Sequence, residues 1–358
     1  MNIKTLLPIR RPEPVQGDLE VTAVKKVTDP QWAAQELLAG EYLLVLDFFS
    51  TGLTLLSALK QILQQKHQDT SFQGERALRS TFQAASQRLL APIENNTLAL
   101  RKAPQIGWLQ ELYPDRADFL LPFPQVQGLN SSWQWFQKGI LFPVLSKPVH
   151  PFYGTYFPTR FEHLELFGDW LETFQGKRES ALDIGTGCGV LALHMLEQGF
   201  KQVFATDINP NAVESVRRHA ESHGLEPALE LEHADLLGSF EGQADLIVFN
   251  PPWLPAIPHS DLDKAMYFEP DLFERFFAQA YEALAFDGRL VLIFSTLITQ
   301  TGGGKLHPIE AALQPGGVFE LVAKHERGVR AGSRKTRRSK QTRKNEKVEV
   351  WELMKRSS

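Results

Sequence analysis

The sequence predicts an α/β chain, with an open parallel sheet in its second half and a mainly helical domain before it. Three observations lead there. Residues 181–190 read Ala-Leu-Asp-Ile-Gly-Thr-Gly-Cys-Gly-Val, an apolar strand start running through a glycine turn into a helix. Three more short apolar segments follow, at 202–205, 229–235 and 245–249, with Asp207, Asp235 and Asn250 at or just beyond their ends. The first 150 residues instead carry stretches whose apolar residues step at three and four, the spacing of one helix face.

At 358 residues the chain accommodates two domains of ordinary size, with the boundary expected between 1–150 and 151–358. A net charge of −4 gives no whole-chain case for nucleic acid, although the charge is unevenly spread. The single cysteine, Cys188, excludes an internal disulfide and a thiolate metal cluster, and a reducing cytoplasm fits. No base stands beside Cys188 in sequence, so it reads as a small filler of the glycine turn rather than a nucleophile. Leu6-Leu7-Pro8 is broken by Arg10 and Arg11, which leaves no signal core. Asp47 and Lys60 interrupt the most apolar run, 42–63, leaving less than the ~20 residues of a membrane helix.

In chain order, the proline-punctuated first 30 residues read as a partly ordered arm. Pro30–Ala39 is expected as a helix, with Asp29 as N-cap and Pro30 in the first turn. Residues 42–65 are ambiguous: Leu43, Leu44, Leu46 and Phe49 suit a strand, whereas Leu55, Leu56, Leu59, Ile62 and Leu63 suit a helix, expected from Gly52. Residues 72–90 form a second amphipathic helix that Pro92 ends. Trp108, Trp133, Trp135, Phe136 and Phe142 could stack on bases, but aromatics dominate cores, and core packing is the expectation.

Gly185, Gly187 and Gly189 are spaced G-x-G-x-G. Glycine permits positive φ and a close approach of ligand to backbone, and the helix opened by the turn presents free N–H groups. A tight turn without a ligand would use the same glycines, so the following residues decide. Asp207 ends the second strand, where an acid can hold both ribose hydroxyls of an adenosine. Asp235 closes the third, and Asn250-Pro251-Pro252-Trp253 follows the fourth. Such strand ends share one edge of a parallel sheet, where ligands bind.

With these residues, from Phe152 to near the C-terminus, the chain resembles class I S-adenosylmethionine (SAM)-dependent methyltransferases of the Asn-Pro-Pro-aromatic group. The resemblance implies a Rossmann-like sheet ending in an antiparallel strand pair, with SAM as cofactor. It implies an N-terminal substrate-recognition domain, and cofactor contacts at Asp183, Gly185, Thr186, Gly187, Gly189, Asp207, Ile208, Asp235 and Leu236. Residues 150–160 are similar to the Pro-Arg-Pro-x-Thr-Glu segment that closes over the methionine end of the cofactor in glutamine methyltransferases. The residue order differs, so only Pro158, Thr159 and Arg160 carry over, and a helix-start salt bridge is the other use of Arg160. A nicotinamide dehydrogenase has G-x-G-x-x-G; here the third glycine comes one residue early, and Asn-Pro-Pro-Trp would have no use.

The remaining elements follow the same pattern. Helices are expected at 161–174, Pro210–His223 and 269–284, a fifth strand at 289–294, and a terminal antiparallel pair at 319–323 and 348–353. His219 and His223 have a metal-compatible spacing but no third ligand nearby, and read as solvated. Asp261, Asp263, Glu269 and Asp271 form an acidic stretch, read as a solvated loop with helix-start acids. Gly302-Gly303-Gly304-Lys305 lacks Walker spacing. Between Lys324 and Lys347 stand Arg327, Arg330, Arg334, Lys335, Arg337, Arg338, Lys340, Arg343 and Lys344, against Glu326 and Glu346. Cation density of this kind suits contact with a polyanion.

Methyl transfer from a sulfonium requires a lone pair aimed at the methyl carbon. The Asn250 side-chain oxygen and the Pro251 carbonyl can accept the two N–H groups of one NH2, while Pro252 stiffens the turn and Trp253 offers a π face. The first expectation is therefore an N-methyltransferase acting on a nucleobase amine in RNA, held by residues 324–347. The alternative is a protein glutamine N5-methyltransferase. Trp253 departs from the tyrosine or phenylalanine commoner in the group and leaves the acceptor open. A small-molecule acceptor and a non-catalytic SAM-binding module are the other readings; intact Asn250-Pro251-Pro252 speaks against the module.

Overall fold

The computed structural model describes residues 7–66, 69, 72–255, 267–296, 307–330 and 346–356. The chain divides into two compact units, Arg10–Gln137 and Lys138–Ser358, the latter with Met1–Ile9.

The first unit contains β1 (Val21–Val24), α1 (Pro30–Ala39), β2 (Tyr42–Val45), α2 (Phe49–Lys66), α3 (Phe72–Ser86), β3 (Leu89–Glu94), β4 (Thr97–Leu98), α4 (Trp108–Leu112), β5 (Phe119–Pro122) and α5 (Phe123–Lys138). Asp29 caps α1 by accepting from the Gln31 N–H at 3.0 Å, and Gly40 ends that helix in the left-handed conformation. Helix dominates this unit by length, but its organising layer is a five-stranded sheet that the helical expectation misses. β1, β2 and β3 run parallel, while β4 and β5 pair antiparallel with β3. The ambiguous 42–65 stretch divides into β2 and α2. Leu89 and Leu90 belong to β3 rather than to the preceding helix, and Pro92 lies inside that strand. Periodicity alone cannot separate strand from helix in apolar runs this short. Trp108 is fully buried, 5.1 Å from Trp133 and 4.6 Å from Phe136 between ring centroids, which makes this cluster core.

The second unit begins before the expected 150/151 boundary. Ile140 pairs with Val149, and Phe142, Leu145 and Val149 join its core. Its elements are α6 (Glu162–Thr173), β6 (Ser180–Ile184), α7 (Val190–Glu197), β7 (Gln202–Asp207), α8 (Pro210–His223), β8 (Leu229–His233), β9 (Ala244–Phe249), β10 (Leu254–Pro255), β11 (Tyr267–Phe268), α9 (Leu272–Ala283), β12 (Leu284–Ser295), α10 (Pro308–Ala312), β13 (Phe319–Gly328) and β14 (Lys347–Lys355). Seven strands form one sheet, ordered β13-β14-β12-β9-β6-β7-β8. From β12 to β8 neighbours are parallel, whereas β14 is antiparallel to β12 and β13.

Alternation along the strands builds two cores, because successive side chains of a strand point to opposite faces. Ala181, Val203, Ala205, Leu246 and Val248 pack with α6, α7 and α8 on one face. Leu182, Ile184, Phe204, Ile247 and Phe249 pack with α9 and α10 on the other. The strand order reverses at β6, which lies between β7 and β9, so a crevice opens at the carboxyl ends of β6 and β9. Among the described residues, no helix is long and apolar enough to cross a membrane.

Candidate active site at the carboxyl edge of the sheet

A cavity of about 620 Å³ occupies this crevice, a size that suits a cofactor-scale ligand. Gly185, Thr186 and Gly187 from the turn after β6, Asp207 and Ile208 from the end of β7, and Asp235 and Leu236 beyond β8 all line it. So do Asn250, Pro251, Pro252 and Trp253 after β9, and Pro158, Thr159 and Arg160 before α6. Asp183 and Gly189 do not; their places explain the shape of the turn.

Asp183 is fully buried at the end of β6 and accepts from the Thr186 hydroxyl at 2.6 Å and the Ala192 N–H at 3.0 Å. It ties the glycine turn to the first turn of α7 from beneath. Burial raises its carboxyl to about 7, against the lowering effect of those two bonds. Gly189 has φ +85°, and a Cβ there would lie 2.8 Å from the Val216 side chain, so only glycine lets the turn sit this close to α8. Gly187 also has positive φ, and its N–H donates to Asp207 Oδ2 at 2.8 Å. The Asn209 N–H donates to Asp207 Oδ1 at 2.8 Å. One carboxylate thus orders the loops after both β6 and β7. Cys188 is buried, and burial pushes its thiol up to about 12, which suits a filler and not a nucleophile.

At the β9 end, Trp253 Nε1–H donates to Asn250 Oδ1 at 3.2 Å. Because an indole N–H can only donate, this contact fixes which end of the Asn250 amide carries oxygen. His163 meets the Trp253 ring edge-on, with centroids 5.7 Å apart. Burial lowers the His163 imidazole to about 4, with Glu162 opposing, so it is neutral at physiological pH. Arg160 lines the cavity and stands 3.7 Å from Glu346, next to the last strand rather than at a helix start.

Several wall residues escaped the sequence reading. Arg275 on α9 reaches back to Asp235 and pairs with Asp271 at 2.9 Å. Leu272, Tyr156, Asn209, His163 and Glu346 also line the cavity. The one available signal was the four-residue spacing of Asp271 and Arg275 on a helix. Of the acidic stretch, Glu269 lines the cavity, while Asp261 and Asp263 lie outside the described residues. Gly302, Gly303, Gly304 and Lys305 lie outside them too. His219 is buried rather than solvated, stacked on His223 with centroids 4.2 Å apart. Among the described residues no group of three or more His, Cys, Asp or Glu could hold a metal ion.

The basic stretch divides. Lys324 and Arg327 lie in β13, and Lys324 pairs with Glu326 at 3.0 Å and Glu349 at 2.8 Å. Arg327 pairs with Glu165 and Asp169, Arg330 with Glu165 at 3.4 Å, and Lys347 with Glu326 at 2.6 Å. These four cations are engaged within the unit. Arg334, Lys335, Arg337, Arg338, Lys340, Arg343 and Lys344 lie outside the described residues.

Residues 169–301 match the family model of the methyltransferase small domain. By that match the segment is similar to methyltransferase domains. The chain also has curated relatives. A ribosomal protein uL3 glutamine methyltransferase from Neisseria gonorrhoeae is 37% identical over 113 residues, 30% of this chain and 38% of that protein. A release factor glutamine methyltransferase from Deinococcus radiodurans is 37% identical over 98 residues, 27% of this chain and 34% of that protein. The chain thus spans under two-fifths of the length of either. Among solved structures, a ribosomal protein L11 methylase from Lactobacillus delbrueckii subsp. bulgaricus aligns with a TM-score of 0.41 and 22% identity, covering 61% of this chain and 91% of that one.

Proposed function

We propose that this chain transfers a methyl group from SAM to the side-chain amide nitrogen of a protein glutamine. The observation that carries the reading is the placement of Asn250-Pro251-Pro252-Trp253 in one cavity with the glycine turn and Asp207. Bound SAM supplies a methyl carbon activated by its sulfonium. Asp207 accepts a backbone N–H on each oxygen and lines the cavity, where its carboxylate would meet the ribose hydroxyls. Asp235, steadied by Arg275, offers an acceptor to the adenine amino group.

An amide nitrogen is a poor nucleophile because its lone pair is conjugated. Asn250 Oδ1 holds one N–H of the acceptor and the Pro251 carbonyl the other, which orients the nitrogen and favours its pyramidal form. Trp253 takes one lone pair of Oδ1 and leaves the second for that bond. Two observations favour an amide over a nucleobase and reverse the order in which the sequence ranks them. The similar proteins from N. gonorrhoeae and D. radiodurans are named glutamine methyltransferases. Lys324, Arg327, Arg330 and Lys347, counted toward phosphate contact, are instead paired with carboxylates.

The test uses methyl-labelled SAM, the full chain, and separate RNA and protein fractions from cells lacking it. Label is expected in the protein fraction, with or without ribonuclease. Label confined to RNA and lost on ribonuclease treatment overturns the glutamine reading.

A further inference from the structure

Residues 152–160 form a strap of which Gly154 and 156–160 line the cavity, and the side chains that hold it down stand behind it. Four hydrogen bonds join it to α8 and the residue before it. The Phe152 N–H donates to Ser215 Oγ at 3.0 Å. Asn211 Nδ2 donates to the Tyr153 carbonyl at 2.7 Å, and Asn209 Nδ2 to the Gly154 carbonyl at 2.9 Å. The Thr155 hydroxyl donates to the Asn211 carbonyl at 3.0 Å. The Arg218 guanidinium lies 4.4 Å from the Phe152 ring centroid, close enough for a cation–π contact. Asn211 and Ser215 are each 1% exposed and do not line the cavity.

The strap also presses on the glycine turn. A Cβ on Gly187 would lie 3.3 Å from the Tyr156 carbonyl. Its next residues, Phe157 to Arg160, line the cavity, whose other walls include Asp207 and Asn250. The strap is thus fixed at the α8 end and runs along the cavity toward α6. Ligand could leave most simply by lifting it, and lifting it breaks the bonds to Asn211 and Ser215.

We propose that Asn211 and Ser215 are positioning residues that latch this strap and set the rate at which cofactor leaves, without touching it. The inference rests on the SAM-binding reading above. Asn211 presents an amide donor to one strap carbonyl while its own carbonyl takes a strap hydroxyl. Ser215 accepts the Phe152 N–H. Both anchors sit on a helix whose N-cap, Asn209, follows Asp207 by two residues, so the latch and the proposed ribose site share one support.

The test compares wild type, Asn211→Ala, Ser215→Ala and Ser215→Thr in full-length protein. S-adenosylhomocysteine serves as the probe, being the demethylated and chemically stable form of the cofactor. Its dissociation is followed by stopped flow, and backbone exchange of peptides covering 150–160 and β6 by mass spectrometry. Both alanine variants are expected to release the probe about 2–10-fold faster, since each loses one side-chain bond of ordinary strength to the strap. Exchange should rise in 150–160 and not in β6, and Ser215→Thr, which keeps a hydroxyl, should behave like wild type. A structural role alone would lower the melting temperature and raise exchange in β6 as well. Wild-type release rates in both alanine variants overturn the latch. Failure of wild type itself to bind the probe removes the methyltransferase reading, and the latch with it.

Discussion

Asn250 Oδ1 has two lone pairs, and Trp253 occupies one of them. A phenylalanine in place of Trp253 would keep a π face but lose the donor that orients Asn250. Trp253→Phe is therefore expected to lower kcat about 5–10-fold with little change in SAM affinity, as befits one lost hydrogen bond acting through Asn250. Asn250→Ala should cut kcat about 100-fold or more, and adding Trp253→Phe to it should cost little further, because the contact is already gone. Equal additional losses in the double variant contradict this division of roles. Asp207 carries a different burden, since it orders two loops before any ligand binds. Asp207→Ala should weaken SAM binding by ~1–3 kcal/mol through lost charge-assisted bonds, read by calorimetry. Unchanged affinity would remove Asp207 from the cofactor site.

At the scale of elements, α8 has its polar capping end in the latch and its last turns packed on the core. His219 lies in that packed region. Burial, together with His223, His150 and Lys147, lowers its imidazole to about 4, against Glu197. Below the ordinary histidine value of about 6.5, the unfolded chain takes up a proton that the folded chain refuses. Stability should thus fall as pH drops from 6.5 toward 4, by about 1–2 kcal/mol at pH 5 from this residue. His219→Gln should flatten that part of the pH profile in denaturant melts, and an unaltered slope contradicts the assignment. The same helix shows what the sequence made legible: Asn209-Pro210 and Gly224 mark both its ends, and its span agrees with expectation. Strands β6, β7 and β9 were equally legible, since each is a short, mostly apolar run leading into residues of the cavity wall, while β8, Leu-Glu-Leu-Glu-His, shows in its alternation. The first unit was not. β2 and β3 put four and five apolar residues next to helices with similar composition, and only pairing with distant strands decides between the two states. Arg275 and Glu346 escaped for a related reason: their place in the cavity depends on α9 and β14 folding back over the strand ends.

On the scale of the whole molecule, the two units differ in how far their roles can be stated. The match to the methyltransferase small domain covers residues 169–301 and leaves Arg10–Gln137 outside it. We assign that unit to substrate recognition as a proposal, which the resemblance to two-domain methyltransferases motivates. The chemistry is concentrated in the second unit, where four loops of one sheet edge converge on one cavity. A formal net charge of −4 makes no whole-chain case for nucleic acid, and ion pairs in and beside β13 and β14 engage four of the cations. The central claim is therefore a methylated amide on a protein. Its most direct measurement is the chemical form of the transferred methyl. Protein labelled by wild type from methyl-labelled SAM is hydrolysed in acid, which cleaves an amide. Release of the label as methylamine, absent from protein treated with Asn250→Ala, is the predicted result. Label that stays on an amino acid after hydrolysis, or that partitions with RNA, would contradict it.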